Sequence, residues 1–143
     1  MIDGVVITPL KQIHDERGAV FHMLRKDAPH FADFGEIYFS MVNPGVIKGW
    51  KKHTEMVSSL CCVQGRMKLV LMDETSGTVE EIIFGADPND YKLVTIPPQV
   101  WTAFACVGGE PALLANCASI LHRADEAENR ALDNPPLSYD WSL

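Results

Sequence analysis

Apolar positions in this chain gather in short runs closed by turn residues, and this pattern predicts strands with little helix. Val5 to Thr8, Val20 to Leu24 and Tyr38 to Val42 read as strands; the second follows Asp15-Glu16-Arg17-Gly18 and the third precedes Asn43-Pro44-Gly45. Val46 to His53, Ser59 to Val63, Arg66 to Asp73 and Val79 to Phe84 continue the series, with a turn at Gln64-Gly65. Leu93 to Ile96, Trp101 to Val107 and Leu113 to Leu121 complete it, broken by Pro97-Pro98 and Gly108-Gly109. Strands this short and this regularly punctuated predict an all-β sandwich or barrel. Ala124 to Leu132 reads as one or two helical turns, and the proline-punctuated tail from Asn134 onward is expected to lie against the body.

Composition narrows the picture. A chain of 143 residues, 47% hydrophobic and 22% charged, reads as one soluble globular domain over 1–143. Twelve basic against nineteen acidic residues give a formal charge of -7, which argues against nucleic acid or an anionic membrane as partner. No run approaches the length of a membrane helix, and the N-terminus lacks the pattern of an export signal, so a cytoplasmic protein is expected. Cys61, Cys62, Cys106 and Cys117 form no C-x-x-C pair and sit in apolar runs, so they read as buried thiols.

Chemistry concentrates between Gly45 and Gly65, GVIKGWKKHTEMVSSLCCVQG. The spacing resembles the first signature of the cupins, in which a glycine is followed after five residues by His-x-His, then a Glu and a closing Gly. Gly45, His53 and Gly65 are in register, while Lys51 stands at the first His and Ser58 at the Glu. The resemblance implies a double-stranded β-helix, the cupin jelly-roll barrel, with a short C-terminal helical segment. The second signature would place a His at Thr102.

Four islands in order extend the likeness to the dTDP-4-dehydrorhamnose 3,5-epimerase family and related nucleotide-sugar epimerases and isomerases. They are Asp15-Glu16-Arg17-Gly18, Gly45-Val46-Ile47-Lys48-Gly49, Ile96-Pro97-Pro98, and Asp133-Asn134-Pro135 with Trp141. The resemblance implies a nucleotide-linked 4-keto sugar as substrate, Arg17 against its nucleotide, and a homodimer in which the partner's N-terminal strand completes the site. The departures are specific: Lys51 replaces the family's general base, the opposing Tyr would fall near Ala115, and the acidic partner of the base would lie beyond the end of the chain.

The residues themselves limit the chemistry. Cupin metals take imidazole and carboxylate ligands, and of Lys51, His53, Ser58 and Thr102 only His53 qualifies, so no metal or other cofactor is expected. Proton abstraction beside a ketone needs a base near its operating pKa and something to hold the enolate. His53 suits the first task, Lys51 as an ammonium the second, and Tyr38 is the candidate replacement proton donor. Lys48 is placed on phosphate, Trp50 and Trp101 as stacking platforms or core aromatics, and Arg66 as a further substrate-binding group. His122 reads as a structural or surface group. Strict strand alternation separates Lys48 from Lys51, so a bulge at Gly49 is required if both are to face the substrate.

Two readings follow. One is an epimerase or isomerase of a nucleotide-linked 4-keto-6-deoxy sugar, working by metal-free proton transfer in surface carbohydrate biosynthesis. The other is a non-catalytic sugar or nucleotide-sugar binder on the same barrel.

Overall fold

The computed structural model describes residues 1–142. Twelve strands run in chain order: β1 (Val6–Pro9), β2 (Gln12–Asp15), β3 (Gly18–Phe21), β4 (Glu36–Val42), β5 (Ile47–His53) and β6 (Ser58–Gln64). They continue as β7 (Arg66–Asp73), β8 (Thr78–Gly85), β9 (Lys92–Ile96), β10 (Trp101–Cys106), β11 (Ala112–Ala118) and β12 (Ala127–Asn129). Two five-stranded sheets carry the fold, ordered β1-β9-β6-β11-β4 and β12-β5-β10-β7-β8, and β2 and β3 form a separate hairpin. Every pairing is antiparallel. This is the expected all-β, cupin-type double sheet.

The inner faces meet in an apolar core that includes Leu60, Cys62, Met67, Leu69, Leu71, Phe84, Val94 and Leu114. Each outer face is also partly covered. Cys61, Tyr91 and Leu93 lie under Phe21, Met23 and Leu24, while Trp50, Val70, Met72 and Trp101 lie under Leu132, Leu137, Tyr139 and Trp141. Six consecutive residues of β7, Met67 to Met72, are therefore buried, which is why that strand reads as a continuous apolar run broken only by a lysine. That residue, Lys68, is held by Glu81 at 3.3 Å and by the faces of Tyr139 and Trp141.

Most strand expectations hold, with two additions, β2 and β12, and with two strands ending earlier than expected, Val20 to Leu24 at Phe21 and Leu113 to Leu121 at Ala118. The C-terminal segment needs one correction. The helical segment is a single 3-10 turn, Ala124–Glu126, and the residues after it join β5 as strand β12. Extended backbone wins there because β5 presents an unpaired edge that Ala127 to Asn129 can bond. The tail lies against the body as expected. All four cysteines are buried and free.

Candidate active site

A cavity of about 280 Å³ opens between the two sheets at the end of the barrel where β5, β6 and β10 converge. Lys51, His53, Ser58 and Thr102, the four positions of the cupin signatures, all line it. Their donor set is one imidazole, one ammonium and two hydroxyls, which does not fit a divalent metal. Among the described residues, no three His, Cys, Asp or Glu side chains converge anywhere as a metal site.

The bulge expected at Gly49 is present. β10 pairs Thr102 with Lys51 but Ala103 with Gly49, leaving Trp50 as the extra residue of β5. The peptide between Gly49 and Trp50 is cis. Trp50 turns its backbone to the tail instead, with its N–H donating to the Arg130 carbonyl at 3.0 Å and the Arg130 N–H donating back at 3.0 Å. One extra residue resets the alternation, so Lys48 and Lys51 both reach the cavity although they are three apart. Only glycine fits at position 49, because a Cβ there would stand 2.3 Å from that of Ala103. Lys48 donates its ammonium to the Met41 carbonyl at 2.9 Å.

His53 carries a partner that the sequence reading placed outside the chain. Its Nδ1 lies 2.7 Å from Oε1 of Glu126, a carboxylate only 2% exposed at the end of the 3-10 turn. The other carboxylate oxygen accepts the Glu55 and Met56 N–H groups at 3.1 and 3.0 Å. Burial alone pushes this carboxyl up, but the hydrogen bonds from His53 and Met56 outweigh it and hold the group below its usual range. An ionised carboxylate only accepts, so the His53 ring carries a proton on Nδ1, and in the neutral ring the lone pair is on Nε2. The acidic partner is thus Glu126, within the chain.

The facing wall supplies Tyr38 from β4 and Asn116 from β11, directly opposite each other in register, with Asn116 Nδ2 donating to the Tyr38 hydroxyl at 2.8 Å. Ala115 is not a wall residue; its neighbours Leu114 and Asn116 are. β11 pairs with β4 without a break in register, so Leu114 and Asn116 share the cavity face and Ala115 takes the other; the family likeness pointed only to the neighbourhood of Ala115 and did not single out Asn116. Burial pushes the Tyr38 phenol up, partly offset by the Asn116 hydrogen bond.

Several expected contacts are not brought together. Trp101 lies in the cluster on the outer face, where its indole donates to Glu74 and stacks under Lys52 and Arg130. Trp50 borders the cavity, but its ring is 1% exposed and packs against Tyr139 and Trp141. Both are core aromatics under the tail, not open stacking platforms. Lys52 points to the same outer side, 3.5 Å from Glu128. Arg66 sits at the far end of β7, paired with Asp90 at 3.2 Å and outside the cavity, because β7 enters the sheet from the opposite end of the barrel. Arg17 stays in the β2–β3 hairpin, bonded to Asp15 at 2.6 Å, and does not line this chain's own cavity. His122 is exposed, with its N–H donated to Glu36, in keeping with a structural role.

A cupin barrel with an imidazole–carboxylate pair facing a phenol across a cavity is the class that the fold and site define. No family model matches the chain. The chain is 42% identical to the dTDP sugar isomerase from Desulfovibrio desulfuricans, covering 99% of this chain and 92% of that one, with a TM-score of 0.94. It is 27% identical over 150 residues to the probable low-salt glycan biosynthesis epimerase Agl13 of Haloferax volcanii, covering 99% of this chain and 95% of the relative. The dTDP-6-deoxy-D-glucose-3,5-epimerase of Legionella pneumophila, 19% identical, shares the fold at a TM-score of 0.83 over 99% of this chain and 80% of that one. The chain belongs to the cupin-fold family of dTDP-sugar epimerases and isomerases.

Proposed function

We propose that this protein is an epimerase or isomerase of a dTDP-linked 4-keto-6-deoxy sugar, acting by metal-free proton transfer in carbohydrate biosynthesis. The observation that carries this reading is the His53–Glu126 pair on one wall of the cavity with Tyr38 on the other. His53 Nε2 takes the proton from the carbon beside the ketone, and the C–H electron pair moves into an enolate. The Lys51 ammonium holds the enolate oxygen, supplying the charge that a metal would otherwise provide. The Tyr38 O–H returns a proton to that carbon from the opposite face, after which solvent reprotonates the phenolate and takes the proton from the imidazolium. Lys48, at the rim, is suited to the diphosphate.

A homodimer fits the same reading. Ile37, Phe39 and Met41 project from the edge strand β4 with 53%, 61% and 51% of their surface exposed, and Phe34 adds to the stripe. Arg17, exposed on the hairpin and outside its own cavity, would serve the nucleotide of a second copy. The four free buried thiols favour the cytoplasm.

The test is incubation with a panel of dTDP-linked 4-keto sugars in deuterium oxide, beside a binding titration. Label beside the ketone supports turnover, and its position separates epimerisation from keto-group migration. Tight binding with no label in any sugar would establish the non-catalytic binder instead.

A further inference from the structure

Asn116 is a buried polar side chain on the wall that carries Tyr38, and it is bonded to that phenol. It is 7% exposed, its Nδ2 donates to the phenol oxygen at 2.8 Å, and its Oδ1 is buried with no protein partner. This orientation leaves an acceptor unpaired in preference to an NH₂ group, and a buried carbonyl oxygen without a partner is the better tolerated of the two. A phenol that accepts from Asn116 must send its own proton elsewhere, and Tyr38 lines the cavity.

We infer that Asn116 is a positioning residue that turns the Tyr38 O–H into the cavity and stabilises the phenolate left when that proton is given to substrate. The inference rests on the reading of Tyr38 as the proton donor and adds the group that aims it. The two residues are cross-strand partners in register, so the geometry is fixed by β4–β11 pairing and not by a mobile loop. As the phenol loses its proton its oxygen becomes anionic, and the Asn116 N–H bond becomes charge-assisted. Burial works against that ionisation, and the Asn116 contact is the largest influence opposing it.

The near-isosteric Asn116→Asp reverses the polarity. Its carboxylate would accept the Tyr38 proton and direct it away from substrate. Three readouts are compared among wild type, Tyr38→Phe, Asn116→Asp and the double variant: product formation, deuterium entering recovered substrate, and the absorbance titration of Tyr38 in the free protein. Product formation should fall about 100-fold in each single variant, with no further loss in the double. Deuterium should still enter recovered substrate at near the wild-type rate, because His53 is untouched. The Tyr38 titration should move upward by about one pH unit or more in Asn116→Asp.

Additive losses, equal loss of exchange and product, or wild-type product formation in Asn116→Asp would each overturn the assignment. So would an unmoved Tyr38 titration. That titration needs no substrate. If wild type exchanges no sugar but the titration shifts, the functional reading fails while the pairing stands.

Discussion

Glu126 and His53 are 73 residues apart in sequence and 2.7 Å apart in space, and the carboxylate is the more deeply buried of the two. The contact fixes which ring nitrogen is protonated, and so which one faces the chemistry. Glu126→Gln should therefore lower turnover by about 10²–10⁴-fold, because an amide can also donate to Nδ1 and permit the wrong tautomer. Steady-state kinetics on the exchanging sugar would show the loss in kcat; an unchanged kcat would contradict the role.

The same pair predicts how stability depends on pH. The folded-state pKa of Glu126 lies below its ordinary value of 4.5. Its contribution is therefore fully present above that value and is lost as the pH falls through the folded pKa. Urea unfolding of wild type should show this acid loss, and Glu126→Gln should show less of it. Equal acid sensitivity in both proteins would remove the carboxylate from the account.

Gly49→Ala should cost about 1–3 kcal/mol by overpacking against Ala103. Activity should fall further than stability does, since relaxing the bulge returns Lys48 and Lys51 to opposite faces. Urea midpoints measure the first effect and turnover at saturating substrate the second.

The tail should act as part of the wall behind the site. Trp141 lies 5.9 Å from the Trp50 ring centroid and 5.0 Å from that of Tyr139. Trp141→Ala should cost about 2–3 kcal/mol, at or just below the low end for large-to-small core changes because the ring is only half-buried. The loss would be read from urea unfolding, with a changed near-ultraviolet dichroism from Trp50. A variant as stable as wild type would show the tail to be dispensable.

Burial raises the Cys61 thiol to about 11 and Cys62 to about 12. Neither should react with a thiol reagent in the native protein at pH 8, whereas denatured protein should label at all four cysteines. Rapid native labelling of either would mean that the core opens.

Much of this was legible in the sequence, because spacing on strands is a rigid ruler. Lys51, His53, Ser58 and Thr102, grouped by the spacing of the cupin signatures, do line one cavity. The bulge was legible because Lys48 and Lys51 cannot share a face without one. Glu126 was not, since it reaches His53 through a three-residue turn with no periodicity to betray it. Asn116 was missed by a single position, because the face that β11 turns to the cavity is set by its pairing with β4, which the sequence does not display. Core and stacking roles stayed open for Trp50 and Trp101, because the tail that buries them is apolar in only a few scattered residues.

The most direct test of the central claim is the rate at which deuterium from solvent enters the carbon beside the ketone of a dTDP-linked 4-keto-6-deoxy sugar, measured by proton NMR for wild type and His53→Ala. The account predicts exchange in wild type and a loss of at least about 10²-fold in the variant, with the sugar still bound. Exchange that persists in His53→Ala would contradict it.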